Sequence, residues 1–116
     1  MKKKITTFCW YEWEEGHYSD IVTEYVGAEY CEGEAHVVMV TKEDGGFWCG
    51  EFLAKATEED FTDADTIEQY IIANDDKGWS GGSFQTLEEM IESEDLGDSK
   101  LFMDLVEYIK NDDHAR

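Results

Sequence analysis

The side chains with most chemical reach in this sequence are carboxylates, set at helical spacings. Glu88, Glu92 and Asp95 stand at i, i+4 and i+7, one face of a helix, and Asp65 and Glu68 stand at i, i+3. Like charges so placed cost about 0.2–0.5 kcal/mol per pair, and almost no lysine is interleaved to offset them. A further pair, Asp75 and Asp76, precedes Trp79 in a polar, glycine-rich stretch. Tryptophan is enriched at the energetic centres of interfaces, so Trp79 is a candidate anchor. Its plain alternative is a ring folded back on the domain. A set of this kind is suited to holding cationic groups, and these eight residues form the candidate partner-binding site.

Other chemistry is weakly marked. His17, His36 and His114 have no neighbour that signals a triad or a metal motif, and abundant carboxylates alone do not specify acid–base catalysis. Cys31 and His36 are the closest pair of soft ligands, but the CxxC pairs of structural zinc sites are missing. Asn74-x-Asp76-x-Gly78-x-Ser80 imitates the start of a calcium loop, yet its twelfth position is Gln85 and no bidentate glutamate is supplied. Gly78-Trp79-Ser80-Gly81-Gly82 lacks the lysine of a phosphate-binding loop. The expectation is therefore a non-enzyme with no metal and no cofactor.

The charge has a direction. The chain carries a formal net charge of −20, with 29 acidic residues against nine lysines and arginines. Residues 56–116 hold 18 of the acids against Lys77, Lys100, Lys110 and Arg116, a net of −14, while residues 1–55 carry −6. With so few cations, direct binding to nucleic acid is disfavoured, since phosphate contacts need Lys and Arg. Anionic membranes are disfavoured for the same reason, and no uncharged run approaches the ~20 residues of a spanning helix. Acid residues near helix starts, namely Glu58, Glu59, Asp60, Asp63 and Asp98, are explained by the helix dipole alone. The interior acids named above are not.

The chain should fold despite this charge. Hydrophobic residues make up 41% of it and 16 residues are aromatic, whereas disordered acidic chains are poor in aromatics. At 116 residues it reads as a single domain spanning 1–116, with no linker and no internal repeat. Three cysteines, Cys9, Cys31 and Cys49, form an odd set that favours a reducing, cytoplasmic setting. Lys2–Lys4 imitate the start of a signal peptide, but the run after Ile5 is short and lacks a cleavage site.

The elements that must position the acids follow from periodicity. Ile5–Trp13 alternates as a strand, with Ile5, Thr7, Cys9, Tyr11 and Trp13 on one face and Thr6, Phe8, Trp10 and Glu12 on the other. Both faces are largely apolar, which suits a central or well-covered strand. A second strand is expected over Tyr18–Val26, with a short helix as the alternative, then a loop over Gly27–Gly33. Ala35–Thr41 and Phe47–Leu53 form a hairpin around Lys42–Gly46. Thr57-x-x-Asp60 resembles a capping box, and the spacing of Ala64, Ile67, Tyr70 and Ile71 predicts a helix over Ala64–Ala73. Asn74–Gly82 reads as a loop. The Thr86-x-x-Glu89 box then starts a short helix ending before Gly97, and Asp98 caps a last helix. There Leu101, Phe102, Leu105, Val106, Tyr108 and Ile109 cover an arc of about 160°.

The expected fold is α+β, with an N-terminal antiparallel sheet of three or four strands covered on one face by two or three acidic C-terminal helices. The expected function is a protein inhibitor: an acidic helical surface that occupies the cationic, nucleic-acid-binding surface of a partner. Small acidic inhibitors of restriction and CRISPR nucleases offer an analogy of charge and size, carried by no motif. Duplex DNA bears one charge per ~3.4 Å of each strand, and carboxylates four apart on a helix are spaced about 6 Å. A DNA-like field would thus need rows from two or three helices combined. An immunity protein that neutralises a basic nuclease toxin is the alternative, and a small enzyme or metal-binding domain is the alternative of another class. Neither the partner's identity nor an oligomeric state is marked in the sequence.

Overall fold

The computed structural model describes residues 4–14, 21–43, 46–74, 80–92 and 100–111. Its frame is a five-stranded antiparallel meander in the order β1 (Lys4–Glu14), β2 (Ile21–Cys31), β3 (Glu34–Glu43), β4 (Gly46–Lys55) and β5 (Ser80–Phe84). A 3-10 turn (Glu58–Phe61) and helix α1 (Ala64–Ala73) connect β4 to β5, and α2 (Leu87–Glu92) and α3 (Lys100–Lys110) follow. The α+β class and the antiparallel sheet agree with the sequence reading, whereas the expected order of all strands before all helices does not hold, since β5 follows α1. Three details differ, each for a physical reason.

The first is the strand count. Ser80–Phe84, expected to lie mostly in a loop, is β5 and pairs with β4 from Phe47↔Phe84 to Glu51↔Ser80. Glycine and serine have low strand propensity, so this segment carries no β signal. Close backbone approach is what requires glycine here: a Cβ on Gly81 would fall on the Cys49 carbonyl oxygen.

The second is the extent of β2. Gly27–Cys31, expected as a loop, continues the strand, and only Glu32-Gly33 turns. Both turn residues have positive φ, 51° and 85°, as a two-residue hairpin of type I′ demands. Gly27 weakens the strand pattern because the Phe8 ring lies across it, 3.0 Å from where a Cβ would sit.

The third is coverage. Helices close both faces of the sheet and not one. Alternation sends Phe8, Trp10, Tyr25, Val38, Val40 and Cys49 to one side, where they pack with Leu101, Phe102, Leu105, Val106 and Ile109 of α3 and Met90 of α2. Cys9, Tyr11, Val26, Val37, Met39 and Phe52 go to the other, beneath Phe61 of the 3-10 turn and Ile67, Tyr70 and Ile71 of α1. The uninterrupted run Val37-Val38-Met39-Val40 already has the form of a strand buried on both sides. Two apolar layers also explain how β1, an edge strand in this order, needs two apolar faces.

The helix starts are capped by their own acids. The Asp60 carboxylate accepts the Thr57 N–H at 2.9 Å and its hydroxyl at 3.2 Å. Asp63 accepts the Thr66 N–H at 2.8 Å, and Thr66 Oγ1 accepts the Asp63 N–H at 3.1 Å. At α2 the Glu89 N–H donates to Thr86 Oγ1 at 3.1 Å, while the Glu89 carboxylate reaches back to the N–H of Gln85 at 3.1 Å. The expected cap at Asp98 and the stop at Gly97 lie outside the described residues.

Candidate functional site

The two helical layers separate the candidate acids. Asp65 and Glu68 ride on α1, on one side of the sheet, and Glu88 and Glu92 ride on α2, packed on the other. Glu88 and Glu92 are exposed. Asp75, Asp76, Trp79 and Asp95 lie outside the described residues. A single surface joining the rows of α1 and α2 is thus not built, because the sheet lies between them.

The α1 side carries one of two equally dense acidic runs, the other being the six acids of residues 88–98. From Ala56 to Asn74 there are six carboxylates, Glu58, Glu59, Asp60, Asp63, Asp65 and Glu68, and no lysine or arginine. Asp60 and Asp63 serve as caps, and Asp65 and Glu88, expected inside their helices, fall in the first turns of α1 and α2, where the helix dipole favours them. Glu58, Glu59, Asp63 and Asp65 are exposed. Asp65 edges a shallow hollow of about 340 Å³ shared with Glu59, Asp60, Gln69 and Tyr70. Burial and the nearby Asp60 raise the pKa of the Tyr70 phenol, whose hydroxyl donates to the Lys55 carbonyl at 3.0 Å.

Glu68 faces a different space. It lines a pocket of about 390 Å³ between the sheet and α1. The sheet contributes Tyr11 and Trp13 of β1, Glu24 of β2 and Met39 of β3. Helix α1 contributes Glu68, Ile71 and Ile72. Register accounts for the floor: Tyr11 lies directly opposite Glu24 across the β1–β2 ladder, and Trp13 is two residues along on the same face. The Tyr11 hydroxyl also reaches Met39 Sδ at 3.9 Å. Trp13 is 42% exposed and Ile72 62% exposed, so two large apolar side chains stand at the rim.

The electrostatics of this pocket are negative. The Tyr11 phenol is held far above its ordinary pKa by burial, by its hydrogen bond to Glu24, and by the charges of Glu24 and Glu68. Burial first and Glu68 second push the neighbouring Cys9 thiol up to about 11. Both groups therefore stay protonated at neutral pH. Among the described residues lining the pocket there is no lysine or arginine to balance Glu24 and Glu68. Ion pairs elsewhere include Lys4–Glu29 at 3.4 Å, His36–Glu51 at 2.8 Å and Lys100–Asp104 at 2.7 Å.

Of the pocket residues, sequence reasoning singled out only Glu68. Tyr11 and Trp13 were visible as same-face strand residues, but their pairing with Glu24 depends on a register that the sequence did not set. Ile72 falls off the Ile67–Tyr70–Ile71 arc and is the one signal of an apolar rim. His36 pairs with Glu51 across β3 and β4 rather than with a metal set, and among the described residues no three His, Cys, Asp or Glu side chains converge. The three cysteines are free thiols. Among the described residues no helix is long and apolar enough to cross a membrane. Comparison with known proteins finds no match, whether to a family model, to a curated protein or to a solved structure.

Proposed function

We propose that this is an acidic binding protein that occupies a cationic, nucleic-acid-binding surface on a partner protein, with the segment from the 3-10 turn through α1 as the contact face. The observation that carries the reading is the absence of any basic residue beside the six carboxylates of Ala56–Asn74: the helix dipole accounts for acids at the helix starts but not for leaving their mutual repulsion unrelieved. Asp65 gathers with Glu59 and Asp60 around one shallow hollow, while Glu68 faces the pocket on the sheet side of the helix. Competition with nucleic acid for the same basic groove is the mechanism such an acidic face suits. No bond is made or broken. Charge complementarity would speed encounter and select the partner, and an aromatic or aliphatic anchor would supply affinity. A nuclease of a host restriction or CRISPR system, met in the cytoplasm, is the kind of partner this chemistry fits.

The separation of the acids makes the reading sharper. Because α1 and α2 lie on opposite sides of the sheet, one groove would engage one row. Capture from a lysate at low and at high salt tests it, using Glu59 and Asp65 reversed to Lys, and separately Glu88 and Glu92 reversed to Lys. The expected result is a basic nucleic-acid-binding protein that salt and added nucleic acid both release, and that the α1 reversal loses while the α2 reversal retains. Retention of the partner through high salt and the α1 reversal would sink the proposal. A partner that proves to be a single basic nuclease toxin would assign the immunity-protein alternative.

A further inference from the structure

We infer that the pocket between β1–β3 and α1 is a binding site for an alkyl cation, a primary ammonium or guanidinium carried on a short aliphatic stem. Three kinds of wall meet there. Glu24 and Glu68 supply two carboxylates from opposite walls, one from the sheet and one from the helix. Met39, Ile71 and Ile72 supply an aliphatic surface. Trp13 stands at the rim with its indole partly exposed.

Each wall excludes a class of ligand. An anion is repelled by both carboxylates. A neutral apolar ligand would strip water from the two carboxylates without pairing either, which is costly. A hard metal ion wants six or more oxygens, and this pocket offers two carboxylates and a phenol among apolar side chains. An alkyl cation satisfies all three walls at once. Its charged head pairs with Glu24 and Glu68, its stem covers the aliphatic wall, and Trp13 can stack on the head or stem. A volume of about 390 Å³ lies in the range of small-ligand pockets, ~300–1,000 Å³. Such a cation has two sources: a free amine or guanidine, or a lysine or arginine side chain of a bound protein. The inference does not need the partner reading, because a free cation alone would satisfy it.

The test is a titration of the full chain followed through methyl resonances of Met39, Ile71 and Ile72 by NMR. The probes are n-butylguanidinium and 1,4-diaminobutane for the free source, and a blocked arginine amide for the side-chain source. 1-Pentanol is the neutral control. With a net charge of −20, any cation gathers loosely at the surface, so 150 mM salt and a Glu107→Gln control on α3, across the sheet, separate site from atmosphere. Saturable shifts confined to the pocket methyls are expected with the cations and not with pentanol. Glu68→Gln and Glu24→Gln should each weaken binding by roughly tenfold or more, and Glu107→Gln should leave it unchanged. Tighter binding of the blocked arginine than of butylguanidinium assigns the side-chain source, and the reverse order the free source. Pentanol shifting the same methyls equally, or cation affinity indifferent to Glu24 and Glu68, would overturn the inference. Neither result would bear on the salt-dependent capture of a partner by the acids of α1.

Discussion

The two sides of the sheet are closed to different degrees by helices of nearly equal length. Helix α3 buries Leu101, Phe102, Leu105, Val106 and Ile109 in its eleven residues. Helix α1, at ten residues, buries only Ile67, Tyr70 and Ile71 and leaves Ile72 in solvent. The difference lies in the match of apolar arc to sheet. An arc wide enough to cover two strands makes a closed apolar layer, as under α3, in which the Tyr25 phenol is the buried polar side chain. A narrower arc, loaded with acids, leaves a gap beside it, and Glu24 and Glu68 border that gap. The tighter packing lies on one side and the open, acid-lined pocket on the other.

Core truncation should expose this asymmetry most strongly. Leu105 is fully buried among Tyr25, Val38, Val40 and Phe102, so Leu105→Ala leaves a closed cavity and should cost about 3–5 kcal/mol. Ile71 borders the open pocket, so Ile71→Ala merely widens existing space and should cost about 2–3 kcal/mol. Urea unfolding measures both. Equal costs, or the reverse order, would mean the two sides are equally well packed.

The next effect concerns β5, which extends the sheet beyond the α1 connection. Gly81→Ala drives a methyl into the Cys49 carbonyl and should destabilise by roughly 2 kcal/mol or more. The adjacent Gly82 has only the Phe84 ring within reach, at 3.9 Å, so Gly82→Ala should stay within about 1 kcal/mol of the parent. A pair of thermal melts decides it. Indifference at Gly81 would remove the backbone-approach explanation for this strand.

What could be read from the sequence divides along the same line. The α3 layer was legible: its apolar arc, the bounds of α1 and the hairpin of β3 and β4 all follow from local periodicity. The strand Ser80–Phe84 was not, because its reason for glycine is a contact with β4 some 30 residues away. The end of β2 was hidden too, since Gly27 answers to the Phe8 ring and Glu-Gly is a weak turn signal. For the site, spacing identified Glu68 as an acid without an offsetting lysine. It could not supply Glu24, Tyr11, Trp13 and Met39, which come from three strands and meet only through register. Nor could spacing separate Asp65 and Glu68 from Glu88 and Glu92, because helical periodicity does not say which side of a sheet a helix will cover.

A smaller effect is expected from the cap of α1. Asp63 accepts the Thr66 N–H at 2.8 Å, so Asp63→Ala should cost about 1 kcal/mol. It also removes one negative charge from a crowded segment, which offsets part of that loss. If the variant instead proves neutral or more stable, repulsion among the six acids outweighs the cap, and the acidic face is under more electrostatic strain than its caps relieve.

The smallest effect is a titration that distinguishes the two sides through their thiols. Cys9 lies on the α1 side with its pKa raised to about 11, by burial first and Glu68 second. Cys49 lies on the α3 side and is also raised by burial, with a hydrogen bond to the Gly82 carbonyl and Glu51 as its other influences. In the unfolded chain a thiol ionises from about pH 9, while folded Cys9 keeps its proton until pH 11. Between these values the unfolded state sheds protons that the folded state retains, so stability falls as pH rises through that window. Discounted for partial exposure, the Cys9 contribution should be about 1 kcal/mol. Denaturant midpoints at pH 8 and pH 10.5 should therefore differ less in Cys9→Ser than in the parent chain. Glu68→Gln should shrink the Cys9 contribution without touching that of Cys49, because only the α1 side carries this carboxylate beside its thiol. An equal response of both thiols to Glu68→Gln would show that the overall charge of the chain, rather than the pocket, sets the local field.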